Sequence, residues 1–473
     1  MIKFKGYIFS ILQLAIFLLS WVTNWYTELV FALTIVTVIM VLDKLGKGIV
    51  LRELMALHGC VVCLLMPLLG YLVYDHNNRL SSLWVRYMPV SDDMYFGLAL
   101  PAMAGFIFTV CWPMNSLPAT DNGTNLQDML KKAKAILEKR PTVGLILLII
   151  GLGVFSVSDL LPQSLQFAFL LFFFSAFAGL LYLYFTPRVA YRVPILVLFG
   201  GFIVFHALRT GMFTIIAYMG ITLFSFFFIG RKSPMWKKLI GFTVSIFLLI
   251  VIQSVKQNYR KATWTRNYEG SRALLFGNLV QQRLQSTSAL STADAFFPIY
   301  YRTNQGYNVA MVMKRIPSLQ PYDNGANLAK TFASALVPRV LWPDKPEAGG
   351  KFNMKYYTGY VIEGWSTNVG PLGEAYGSFG VIGGIIYMTL MGAFVRWSYR
   401  KVFIIANRIP LLLFWIPVLF YQVTYALESD TLQILNSLFK AAFFTWILTK
   451  FVPYWFGITK KQVYKKPPLP LYQ

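Results

Sequence analysis

Apolar runs of about eighteen residues or more recur along this chain, and each is long enough to cross a bilayer as a helix. In hydrocarbon every backbone N–H and C=O must be bonded within the protein, so such runs fold as helices packed on one another. The spacing predicts spans at about 7–23, 28–43, 54–73, 95–112, 142–158, 164–185, 193–209, 211–230, 238–254, 373–395, 409–427 and 431–450. Met1 to Ser20 reads as part of the first span. The Trp21-Val22-Thr23-Asn24-Trp25 that follows offers no small-residue cleavage site for a secretory leader. Charge agrees: 13% of residues are charged, against about 25% in an ordinary soluble protein. The expected class is all-α, a polytopic membrane bundle of about twelve helices.

The net charge of +24 is not a nucleic-acid signature, because its distribution follows the loops. Short loops expected on one side hold twenty-five Lys and Arg; those on the other hold three, Arg79, Arg86 and Arg209. The positive-inside rule then places both termini in the cytoplasm and the polar segment after the ninth span outside. The predicted divisions are 1–254 with nine helices, 255–372 as a large extracytoplasmic loop, 373–452 with three helices, and a cytoplasmic tail 453–473. The basic helix predicted over 128–140 is expected to lie on the anionic inner leaflet. Cys60 and Cys63 form a C-x-x-C without a second ligand pair, which reads as buried small residues. No cofactor is expected.

Chemistry is expected in the large loop. Between Lys256 and Glu363 it carries fourteen basic residues against six acids, an excess of +8 where positive charge is normally avoided. Arginine clusters of this kind suit phosphate groups at a membrane surface. Gln253, Lys256, Gln257 and Arg260 fall on one helical face and carry that charge to the loop base, with Arg209 at the same interface. Gly370 and Gly373 bare the start of the tenth span, where a helix N-terminus attracts anions, and Glu374 stands in that first turn as a candidate general base. Asp430 followed by Gln433 resembles a helix cap. Further along, Lys440 is an ionisable residue inside a span, and Glu428 is its candidate partner. The loop has no His, there is no Walker motif, and no dinucleotide fingerprint is present, so candidate bases are carboxylates.

Two blocks carry a resemblance. Pro338, Arg339, Leu341, Trp342, Pro343, Asp344, Lys345 and Pro346 form the first. Ser366, Thr367, Asn368, Gly370, Leu372, Gly373, Glu374, Tyr376, Phe379 and Gly380 form the second. Together they resemble oligosaccharide repeat-unit polymerases of the Wzy (O-antigen polymerase) type over about 330–395, and the span plan with one large outer loop is similar. Arg266 with Gly277 and Arg339 with Gly350, each eleven positions apart, resemble a spacing of some relatives, which place the two copies in different loops. The resemblance implies an enzyme of the bacterial cytoplasmic membrane. Such an enzyme transfers a growing glycan from polyprenyl pyrophosphate to the far sugar of an incoming lipid-linked unit. The partners implied are a polyprenyl-pyrophosphate-linked oligosaccharide, membrane lipids, a chain-length regulator and a flippase. On that expectation Glu374 and Asp344 supply the base. Arg339, Lys345, Arg260, Arg266, Arg209, Lys256, Asn368 and Lys440 hold substrate or pyrophosphate. The alternatives are an O-antigen ligase or another polyprenyl-phosphate-dependent glycosyltransferase and, in a different class, a transporter or flippase of lipid-linked sugars.

Overall fold

The computed structural model describes residues 2–114, 121, 123–157, 163–187, 189–210, 223, 225–231, 233–264, 268, 270–285, 292–337, 341–363 and 367–458. The described chain is all-helical, with no strands. In chain order the helices are α1 (Ile2–Val22), α2 (Tyr26–Lys44), α3 (Leu51–Val73), α4 (Ser81–Tyr87), α5 (Asp92–Cys111), α6 (Gly123–Glu138), α7 (Val143–Val157), α8 (Gln163–Phe185) and α9 (Arg192–Thr210). They continue with α10 (Met235–Trp264), α11 (Arg272–Gln285), α12 (Ala293–Thr303), α13 (Gly306–Arg315), α14 (Ala326–Leu336) and α15 (Lys351–Thr358). The last three are α16 (Gly370–Ala406), α17 (Pro410–Glu428) and α18 (Thr431–Phe451).

Among the described residues, eight helices are long and apolar enough to cross a membrane: α2, α3, α5, α9 over Arg192–Arg209, α10, α16, α17 and α18. Shorter apolar helices, Tyr7–Val22, Val143–Ser156 and Phe169–Phe185, stand at three other predicted spans. The span expected at 211–230 lies largely outside the described residues. On α10, Leu239, Ile240, Val244, Phe247 and Leu248 are all exposed, as on a helix whose solvent is lipid.

The chain divides into two compact units. One comprises Met114–Phe199, Tyr399–Tyr421 and Leu438–Gln473. There α7 packs along α8, and the apolar residues of α6 (Leu126, Met129, Ala133 and Leu137) are buried, with α6 against Pro410–Trp415. The apolar side of this basic helix is thus taken up by protein, rather than by a leaflet. Trp415 donates its indole N–H to the Tyr182 hydroxyl at 3.0 Å, satisfying a polar tip that burial would otherwise orphan.

The other unit comprises Met1–Pro113, Gly200–Ser398 and Gln422–Ser437, and holds most of the polar chain. At one end of it Lys44 pairs with Glu53 at 2.9 Å, and Arg52 donates to the carbonyls of Val110 and Trp112, tying α2, α3 and α5 together. Farther along α3 the sequence places Pro67. Proline has no N–H to give the carbonyl four residues back, that of Cys63. The turn loosens into a π-helix over Cys60–Leu65, and Met66 N–H reaches back five residues to Val61. Two carbonyls are released, and both find tertiary donors. Tyr95 Oη donates to Cys63 O at 2.7 Å and Gln305 N to Val62 O at 3.0 Å. Val62 is ten residues from Arg52, about 15 Å along the helix. The segment predicted as an outer cap therefore sends residues 304–306 to the middle of α3.

The helix α16 is not one straight span. Gly380 has φ +70° and ψ −159°, outside the helical region, and only glycine adopts such a backbone without strain. A Cβ on Gly384 would stand 3.6 Å from Tyr376 N, whereas eight residues of straight helix span about 12 Å. Residues 370–379 thus fold back on 381–406 as a half-helix. At its Gly380 end Gly377 O accepts from Asp323 N at 3.4 Å, and its N-terminal end meets the start of α18. The helix α17 is also interrupted: 3-10 turns at Pro410–Trp415 and Val423–Glu428 flank a four-residue α-turn.

Candidate active site

Two polar groups meet inside the larger unit, both built on interrupted helices. The first is a carboxylate knot where the half-helix and α18 begin. Asp430 caps α18 by accepting from Gln433 N, and its second oxygen accepts from Gly349 N at 2.9 Å, Gly350 N at 3.1 Å and Asn368 Nδ2 at 3.1 Å. Glu374, 1% exposed, accepts from Asn353 Nδ2 at 2.5 Å and from Thr431 N at 3.1 and 3.3 Å. Tyr387 Oη bonds Thr431 Oγ1 at 2.8 Å. Tyr357, whose phenol burial pushes well above its ordinary range, receives Asn327 Nδ2 at 3.1 Å and bonds Ser378 Oγ at 3.1 Å. Glu374 is the fifth residue of α16, past the first turn in which the sequence placed it, and its carboxyl group stands instead at the N-terminus of α18. The carboxylate serves a neighbouring helix's N–H group and has almost no surface with which to meet a substrate.

The second group is partly open. His58 Nε2 lies 2.9 Å from Glu428 Oε1, with side-chain exposures of 21% and 37%. His58 is six residues, about 9 Å, along α3 from Arg52. The structure therefore pairs Glu428, expected as a candidate partner of Lys440, with a histidine of α3. Glu428 also acts electrostatically on the Lys256 ammonium, as do Arg260 and Arg302. Arg302 bears on Arg260 in turn, and the Arg260 guanidinium lies 4.4 Å from the centroid of the Trp264 ring. Clustered basic side chains beside a His–Glu pair mark a functional-site candidate.

Other predicted residues fall elsewhere. Lys345 donates its ammonium to Ser334 O at 2.7 Å and Val337 O at 2.6 Å, closing the C-terminus of α14, so it acts as a helix cap. Asp344 beside it is exposed. Arg209 is exposed at the end of α9, and Lys440 is exposed on α18. Asn368 is buried in the carboxylate knot. Arg339 and Arg266 lie outside the described residues. Sequence reasoning missed Arg302, whose α12 is one of the short helices in the polar segment, and His58, which it set aside for lying outside the loop. The rule that singled out Lys440, an ionisable residue inside an apolar run, applies equally to His58.

A family model described as "Domain of unknown function (DUF8712)" matches residues 124–405, more than half of the chain. The comparison with curated proteins found no match, and neither did that with solved structures.

Proposed function

Because the chain belongs to the DUF8712 family, whose description states no activity, we propose a reading from the site itself: a membrane glycosyltransferase that joins lipid-linked oligosaccharide repeat units. The observation that carries it is the partly open His58–Glu428 pair at 2.9 Å, to whose surroundings Lys256, Arg260 and Arg302 add positive charge. In this reading the cations hold the pyrophosphate of a polyprenyl-linked donor. Glu428 takes the proton from the acceptor hydroxyl while that oxygen attacks the anomeric carbon. The bond from the anomeric carbon to the pyrophosphate oxygen breaks, and polyprenyl pyrophosphate leaves with its charge on the three cations. The proton then passes from Glu428 to solvent. Asp344, exposed, and Glu374, buried, are less suited to that step than Glu428, which has both an opening and an orienting partner. The site would face the outer side of a bacterial cytoplasmic membrane, with both termini in the cytoplasm.

A transporter of lipid-linked sugars is the second reading, favoured by the half-helix 370–379 and the broken α17. Interrupted helices line the substrate sites of many transporters. One experiment separates the two. Purified protein in vesicles is given a lipid-linked repeat unit alone. A ladder of longer glycans is the expected result. Movement of the unit across the vesicle without a ladder would establish the transporter instead.

A further inference from the structure

Beside the carboxylate knot lies a buried cluster of amide side chains that the reaction above does not use. Asn304, Gln305 and Asn308 stand at the start of α13, and Asn304 Oδ1 accepts Tyr307 N at 3.2 Å. Asn308 Nδ2 donates to Gln305 Oε1 at 3.1 Å and to Thr367 Oγ1 at 3.0 Å, and Gln305 Nε2 donates to Asn368 O at 2.8 Å. Three polar atoms of this cluster are buried without a hydrogen-bond partner: Asn304 Nδ2, Asn308 Oδ1 and Asn368 Oδ1. Their residues are 3%, 4% and 5% exposed. Buried amide atoms are almost always bonded, so one donor and two acceptors left over in one cluster call for a group that both gives and takes hydrogen bonds.

The surroundings narrow that group. Tyr307 in the first turn of α13 has its ring 5.8 Å from that of Tyr301 and 5.3 Å from that of Tyr87, and the rings of Tyr87 and Tyr301 are 4.3 Å apart. All three rings are half-buried. Burial raises the phenols of Tyr301 and Tyr307, the latter to about 12 with help from the neighbouring phenols, so both stay neutral donors. Neutral amides beside aromatic faces do not suit a phosphate. They suit a pyranose, whose hydroxyls both donate and accept and whose C–H face stacks on an aromatic ring.

We propose that Asn304, Asn308 and Asn368 with Tyr87, Tyr301 and Tyr307 form a sugar subsite that takes the hydroxyl-bearing ring of the acceptor unit. This rests on the glycosyltransferase reading for its role, but the subsite itself is tested without any transfer. Purified full-length protein is titrated by saturation-transfer NMR with methyl α-D-glucopyranoside, N-acetyl-D-glucosamine and L-rhamnose, and with inorganic phosphate as competitor. At least one sugar is expected to bind saturably and to resist phosphate. Tyr301→Ala and Asn308→Ser should each weaken it about tenfold, while Tyr301→Phe, which keeps the ring, should not. Should Asn308→Ser fail to fold, the two Tyr301 variants decide alone. No saturable sugar, equal binding by Tyr301→Ala, or displacement by phosphate would overturn the proposal and leave ordered water as the occupant. A glycan ladder with no sugar binding here refutes the subsite alone. Sugar binding without a ladder refutes the transferase reading alone.

Discussion

The carboxylate knot and the His58–Glu428 group use the same kinds of residue to different ends. In the knot, Asp430 takes four N–H donors and Glu374 is closed off by Asn353 and Thr431. Each carboxyl group there is engaged in holding chain to chain: the 349–350 turn, the half-helix and α18. Around Glu428, by contrast, the His58 and Glu428 side chains retain surface. A saturated buried group fixes structure, whereas a partly open one can meet a ligand. The contrast also says why position alone misleads. Glu374 sits where a helix N-terminus would welcome an anion, and that place is filled by the protein's own carboxylate.

The contrast can be broken by substitution. Asp430→Ala should have the largest effect, orphaning Gly349 N, Gly350 N, Asn368 Nδ2 and Gln433 N. A loss of about 3–5 kcal/mol is expected, read as a lowered unfolding midpoint in detergent. If that midpoint stays put, the knot is not what holds these segments. Glu428→Gln should leave the midpoint nearly unchanged and slow glycan transfer by about 10²–10⁴-fold, the ordinary contribution of a general base. Equal rates would remove Glu428 from the chemistry. Lys256→Ala and Arg302→Ala should each weaken binding of the lipid pyrophosphate by about ten- to a hundredfold, as for a lost hydrogen bond to a charged group. Isothermal titration with polyprenyl pyrophosphate would check this. Smaller still, Gly380→Ala should cost about 1–2 kcal/mol, because its φ of +70° is disfavoured for any residue with a Cβ. Smallest, Lys345→Ala should cost about 1 kcal/mol through the open end of α14, with transfer rate unchanged. A collapse in rate would return Lys345 to the site.

Much of the architecture is legible in the sequence. Apolar runs located most of the candidate spans, and Asp430 with Gln433 announced the start of α18. What stayed hidden is where helices stop being regular. Pro67 signals a local fault in α3, but the donors that fill the released carbonyls, Tyr95 and Gln305, come from two other parts of the chain. Gly380 stands in an apolar stretch that reads as one span, and a fold-back at one residue leaves hydropathy unchanged. Lys345 was misread for a related reason. A basic residue in a Pro-rich loop looks the same whether it awaits a phosphate or closes a helix. The cation group gathers Lys256 and Arg302 from separate helices, a convergence made by tertiary packing, on which spacing along the chain is silent.

The docking of Gln305 onto the loosened turn of α3 has a consequence for how this chain opens. An amide N–H in a polar, loop-like stretch ordinarily trades its hydrogen with water within a small local fluctuation. The Gln305 amide is held by Val62 O in the middle of a candidate membrane helix, so releasing it requires the whole packed centre of the unit to part. Deuterium uptake there should therefore be as slow as in the helices themselves, an island of protection inside a fast-exchanging segment. A substrate that reaches α13 would lengthen that protection, and its loss would be the earliest sign of the centre coming apart.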